Sequence, residues 1–212
     1  MVRFLIIRHG YSESNKEKKF TGQMDAGLDA TGYIQAENTA QYVAENYKVD
    51  KIYSSDLSRA YDTAVPLSKR LGIPIIKRQD LREADVGIWQ GMLIEDVREK
   101  FPVEFENYRV NPGETPFPGG ESYSDLMVRA EKAILDIALE NEGKTVAVVT
   151  HGGVIRALRC AWNGGVMSII KDIPHVDNAS VTEVEYENGG INFNLIGYSD
   201  HLTVKVTEEG VK

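Results

Sequence analysis

Cysteine is nearly absent from this chain: of 212 residues, only Cys160 carries a thiol. No intrachain disulfide framework is available, and a reducing compartment is the natural setting. Long apolar runs are missing as well. Nothing approaches the eighteen or more apolar residues of a membrane span, and no cationic leader precedes an apolar stretch with a cleavage site. A cytoplasmic protein, neither secreted nor membrane-bound, is therefore expected. Low-complexity tracts, fixed-period repeats and Pro/Gly/Ser-rich linkers are lacking, which leaves one domain spanning 1–212 as the expectation. Cationic excess is lacking too. A net charge of -8 argues against a nucleic-acid partner, because phosphate-backbone affinity comes from clustered Lys and Arg. An acidic chain that binds anions has to gather its arginines in one pocket.

What is present starts at residues 4–10, FLIIRHG. Four apolar residues form a buried strand that stops at Arg8, His9 and Gly10, so a cation and an imidazole stand at a strand's carboxyl end, where open α/β sheets bind their ligands. A second stretch, TVAVVTHGG, repeats the arrangement with His151, Gly152 and Gly153. Between them, Asp29 or Thr31 can cap a helix with apolar positions Ile34, Ala36, Ala40, Val43, Ala44 and Tyr47. A short strand over 51–55 leads to a second helix, capped by Asp56 or Ser58, with Arg59 in its first turn. Pro66 is expected to kink or restart that helix and Gly72 to end it. A third strand reaching Leu81 leaves Glu83 just beyond its end.

From 84 to 123 the pattern loosens into short helical pieces broken by prolines, the mark of a lid or specificity-bearing insertion. An amphipathic helix over 125–139, with Val128 among its core candidates, precedes the second His-Gly strand. The C-terminal part alternates as a hairpin turning at Asn188 and Gly189. The expected fold is α/β: a three-layer αβα sandwich with a mainly parallel sheet, an antiparallel edge and a helical insertion over the site. Lys16 to Lys19 is expected to be a solvated face, Trp89 and Cys160 core residues, and His175 and His201 surface or loop residues.

Two histidines, two arginines and a carboxylate at strand ends suit phosphoryl transfer, in which most of the barrier is lowered by cations and donors around the phosphoryl oxygens. Arg8 and Arg59 offer planar bidentate clamps. A neutral histidine can attack phosphorus, a second, cationic one can stabilise charge, and a carboxylic acid can protonate the leaving oxygen. Asp80, Asp85 and Glu95 compete with Glu83 for that last role.

LIIRHG with Asn15 following, TGQMDAGLDATGYIQA, YSSDLSRAYDTA, LREADVGIWQG, PGGES and VVTHGGVIRAL, in this order, resemble the histidine phosphatase superfamily, also called phosphoglycerate mutase-like. The resemblance covers nearly the whole chain. It implies that His9 is the phosphorylated nucleophile, that Arg8, Arg59 and His151 surround the phosphate, and that Glu83 is the general acid and then the base. It also implies phosphate or substrate contacts for Ser12, Asn15, Thr21, Gly22 and Gly152. Tyr11 stands where many members carry Glu or Gln, and Ser14 where many carry an aromatic. The Gly-x-Trp segment looks like the phosphatase branch: a histidine acid-type phosphatase of small phosphorylated metabolites, needing neither metal nor other cofactor. The alternatives are a mutase-type phosphotransferase, a metal-dependent hydrolase, for which the histidines lie too far apart in sequence, and an inactive binding module. An exposed edge hairpin allows a homodimer without requiring one.

Overall fold

A computed structural model describes residues 1–165, 167–207 and 210–211. The chain opens with strand β1, Val2–Arg8, then a single helical turn α1, Glu13–Lys16, and the long helix α2, Ala30–Asn46. Strand β2, Lys51–Ser55, leads into α3, Ser58–Leu71, and β3, Ile75–Arg78. Two short helices, α4 (Ile94–Lys100) and α5 (Pro102–Val110), lie in the loosely patterned region. Helix α6, Tyr123–Glu140, strand β4, Thr145–Thr150, and helix α7, Gly152–Ala161, complete the second half-unit; β5, Val181–Glu187, and β6, Gly190–Tyr198, form the hairpin.

These six strands form one mixed sheet in the order β3-β2-β4-β1-β5-β6. The β1–β4, β4–β2 and β2–β3 pairings are parallel, while β5 runs antiparallel to both β1 and β6. Strand side chains alternate between faces, and both faces are covered, which is why β1 and β4 are apolar at every central position. Leu5, Ile7 and Val149 pack with Ala40, Val43, Ala60, Ala64 and Leu67 of α2 and α3. Phe4, Ile6, Val146 and Val148 pack on the opposite face with Leu126, Ile134, Ile137, Ile155 and Leu158 of α6 and α7. Each fully buried Leu, Ile or Val side chain contributes about 1.5–3 kcal/mol. The register aligns Arg8 with Thr150, so the residues after them, His9 and His151, leave neighbouring parallel strands side by side.

The expected α/β sandwich is found, with local differences. Helix α2 is capped by Asp29, which accepts from Gly32 N at 2.8 Å. Neither Asp56 nor Ser58 caps α3: Asp56 forms a two-point pair with Arg82, and the distant Asp25 accepts from both the backbone N and the Oγ of Ser58. A long-range ion pair and a long-range cap thus replace the local cap that short-range pattern favours. Pro66 lies inside a continuous α3, because the buried stripe of Ala60, Thr63, Ala64 and Leu67 holds the helix across the missing N–H. Ile34 and Val128 face solvent, on the outer sides of α2 and α6. The third strand ends at Arg78, and a 3-10 turn carries the chain to a buried Leu81. Asn188 and Gly189 both take positive φ, 51° and 81°, the turn that matches strand twist in a two-residue hairpin.

Candidate active site

His9 and His151 follow the ends of β1 and β4, with ring centroids 5.2 Å apart. His9 is nearly enclosed, and its Nδ1 lies 2.8 Å from the Gly10 carbonyl. A carbonyl only accepts, so Nδ1 carries the proton and Nε2 is left as the basic nitrogen. The backbone around it is pinned: Gly10 N donates to Thr63 Oγ1 at 2.9 Å, and Asn178 Nδ2 donates to the His9 carbonyl at 3.0 Å. A Cβ on Gly10 would fall 2.7 Å from the Gly32 carbonyl oxygen, so the turn after His9 can press against α2 only without a side chain there.

His151 is fully buried behind His9, its Nε2 at 2.9 Å from Ser55 Oγ at the end of β2, while its Nδ1 is buried with no hydrogen-bond partner. Burial, reinforced by Arg59 and Arg8, pushes His9 well below the ordinary imidazole value. Burial, Arg59 and His9 do the same to His151. Both rings are therefore neutral near pH 7, whereas the expectation for the second was a cation; two imidazoles beside two guanidiniums in a desolvated pocket disfavour further positive charge.

Arg59 is 1% exposed, in the first turn of α3. Its Nη2 donates to the Gly22 carbonyl at 2.7 Å and its Nη1 to the Met24 carbonyl at 2.9 Å, so the TGQ loop is held by the guanidinium itself. Arg8 Nη1 donates to the Val176 carbonyl at 2.5 Å. In both arginines the Nε is buried without a partner. Burial lowers Arg8, and it brings Arg59 down to about 10, even though the Glu83 carboxylate acts in the opposite sense on both. Glu83 thus lies within electrostatic reach of the two cations.

Glu83 itself follows the 3-10 turn after β3. One carboxylate oxygen accepts from Gly153 N at 3.0 Å and the other from Ala84 N at 2.9 Å. A Cβ on Gly153 would come within 2.3 Å of that carboxylate. The second glycine of the His-Gly-Gly segment therefore makes room for Glu83. The competing carboxylates are engaged elsewhere: Asp80 with Arg78, and Asp85 with Gly87 N. Glu95 lies in the first turn of α4.

A cleft of about 200 Å³ opens over these groups, lined by Arg8, His9, Asn15, Thr21, Gly22, Arg59 and Glu83 among others. His151, Ser12 and Gly152 are not in its lining. Ser12 caps α1 in a reciprocal box with Asn15, and Gly152 packs against Arg8 and His175. Lys19 lines the cleft, so the Lys16–Lys19 run is not wholly a solvated face. His175, expected to be a bystander, lines it too, with burial, Arg8 and Arg156 bringing it down to about 4. His201 is elsewhere, stacked on Tyr42 and bonded to Thr39. Tyr108, Phe117 and Tyr123, also in the lining, went unflagged because single aromatics in an irregular stretch have no periodic signal. Trp89, fully buried as expected, packs edge-on against Tyr108 and Phe117. Ser55 had a signal, a polar residue closing an apolar strand. Ser14 is buried, and Tyr11 is half-buried. Among the described residues, no three His, Cys, Asp or Glu side chains gather where they could hold a metal ion.

Residues 4–199 match the histidine phosphatase superfamily (branch 1). The chain belongs to this family. Over 187 residues it is 34% identical to phosphoserine phosphatase 1 of Hydrogenobacter thermophilus, covering 88% of each chain. It is 34% identical over 160 residues to a metal-independent phosphoserine phosphatase of Arabidopsis thaliana, covering 74% of this chain and 67% of that one. It spans 55% of the length of the mycobacterial relatives it matches at 32% identity. The solved mycobacterial glucosyl-3-phosphoglycerate phosphatase complexed with VO3 superposes with a TM-score of 0.84 at 29% identity, covering 93% of this chain and 99% of that one. The phosphatase reading drawn from the sequence is supported by these family members.

Proposed function

We propose that this histidine phosphatase, of the histidine acid type, hydrolyses phosphate monoesters of small metabolites through a phosphohistidine on His9. The observation that carries this reading is the tautomer of His9. Its Nδ1–H is tied to Gly10, which aims the lone pair of Nε2 at a cleft shared with Arg8, Arg59 and Glu83.

In the first step Nε2 attacks phosphorus, the bond to the ester oxygen breaks, and Glu83 in its acid form gives that oxygen a proton. In the second, the Glu83 carboxylate takes a proton from water. The water oxygen attacks phosphorus, the N–P bond breaks, and inorganic phosphate leaves. Arg8 and Arg59 offset the negative charge on the phosphoryl oxygens in both steps. His151 stands next to His9, outside the cleft lining; with Nε2 accepting from Ser55 Oγ its proton is on Nδ1, which is the donor this ring can offer toward a bound phosphoryl group.

We read 1–212 as one catalytic domain and 84–123 as its specificity insertion, which supplies Ala84, Val86, Tyr108 and Phe117 to the cleft. Asn15, Thr21 and Gly22 sit where they can touch the phosphate or its ester group. The compact cleft, with Lys19 and His175 at hand, favours small anionic esters, and the phosphoserine and phosphoglycerate compounds named for the relatives belong in the first panel. The buried lone cysteine supports a cytoplasmic setting.

Incubation with phosphate-labelled substrate in the presence of chelator is expected to leave acid-labile, base-stable label on His9 and to release inorganic phosphate. Retention of full activity by His9→Ala would overturn the reading; a loss of about four orders of magnitude in kcat is expected for removal of a nucleophile.

A further inference from the structure

The PGGES segment and the outer turns of α6 contribute nothing to the cleft, yet they hold the segment that carries Glu83. Arg129, on α6, uses all five of its N–H groups. Nε and Nη2 grip the Glu121 carboxylate at 2.9 and 2.8 Å. Nη1 donates to the carbonyls of Asp80 and Arg82, both at 2.9 Å, and Nη2 to that of Glu83 at 3.2 Å. Glu121 secures the other side, accepting from Asp85 N at 2.9 Å through its side chain and donating its own N–H to the Asp85 carbonyl at 2.8 Å. Neither residue is in the cleft lining.

Residues 80–85 follow a strand of only four residues and have no ladder of their own, so their carbonyls need donors from elsewhere. A guanidinium is the one side chain that can serve three carbonyls and a carboxylate at once. A lysine ammonium has three donors and no planar fork.

We propose that the Arg129–Glu121 pair is a positioning device for the leaving-group end of the site, setting the Glu83 carboxylate at proton-transfer distance from the ester oxygen. This rests on Glu83 being the general acid. The role differs from general structural support in a measurable way: proton donation matters for a poor leaving group, such as an alkoxide, and much less for 4-nitrophenolate, which departs without it.

The full-length protein, Glu83→Gln, Arg129→Lys, Glu121→Gln and the Glu83→Gln/Arg129→Lys double variant are assayed on a primary-alkyl phosphate and on 4-nitrophenyl phosphate, with inhibition by inorganic phosphate measured alongside. Glu83→Gln should lose about 100-fold or more in kcat on the alkyl ester and far less on the aryl ester. Arg129→Lys should show the same bias, about 30-fold against under about threefold, with KM and phosphate inhibition within about threefold. In the double variant the alkyl-ester loss should match that of Glu83→Gln alone, because both changes remove one function. Glu121→Gln, which leaves the three carbonyl bonds in place, should show a smaller bias of the same sign, and it carries the test if Arg129→Lys does not fold. Equal losses on both esters in the Arg129 and Glu121 variants, with Glu83→Gln still biased, overturn the positioning role alone. An unbiased Glu83→Gln overturns the acid assignment, and the positioning role with it.

Discussion

The two ends of the cleft are built from different materials. At the phosphate end, Arg8, His9 and His151 leave the ends of adjacent parallel strands, and Arg59 comes from the first turn of a helix whose inner face is core. Their positions follow from strand register and burial. At the leaving-group end, Glu83 stands on a segment without a ladder, held by Arg129, Glu121 and the amide of Gly153. One end is fixed by backbone pairing and the other by side-chain polar contacts. On the proposed reading, the constant part of the substrate meets the sheet-anchored end, and the variable part meets the end held by side chains.

That contrast can be broken most forcefully at Arg59. Arg59→Ala removes a phosphate clamp and leaves the buried carbonyls of Gly22 and Met24 without donors, so kcat/KM should fall about 10³-fold on alkyl and aryl esters alike, with a lowered Tm. A strong leaving-group bias in this variant would blur the division between the two ends.

Gly153→Ala probes the other end. The added methyl displaces the Glu83 carboxylate while leaving the strands alone, and a loss of about 10²-fold in kcat confined to alkyl esters is expected, with Tm nearly unchanged. Matched losses on aryl esters would show that the phosphate end had moved too.

A smaller effect lies in pH. His9 and His151 titrate well below their unfolded value of about 6.5, so beneath that pH the unfolded chain binds more protons and stability falls as pH falls. Each of the two costs about 1.4 kcal/mol per pH unit over the window between its unfolded and folded values. Urea midpoints measured at neutral pH and about 1.5 units lower should show the decline, and His151→Gln should flatten it. An unaltered slope in that variant would remove His151 from the pH dependence.

Much of the phosphate end was legible beforehand because its signals are local. An apolar run stopping at Arg-His-Gly, repeated at Thr-His-Gly-Gly, marks two strand ends, and the short strand over 51–55 followed by a helix start marks the first turn that carries Arg59. The ordered motifs also supplied Glu83. Long-range contacts escaped: Asp25 rather than Asp56 at the start of α3, Ser55 behind His151, Lys19 and His175 in the cleft, and Arg129 with Glu121 behind Glu83. Each joins residues far apart in the chain, and nothing in the spacing of either partner encodes the distance between them.

The sequence by itself determined that two buried strands end in histidines, that helices cover both faces of the sheet, and that an arginine starts the helix after the second strand, because hydrophobic periodicity and turn chemistry act over a few residues. Tertiary structure alone decided which nitrogen of His9 is free, that both histidines are neutral, and that Glu83 is held in place by a glycine and an arginine from two different helices. Those properties depend on desolvation and on hydrogen-bond partners, which exist only once distant segments have been brought together.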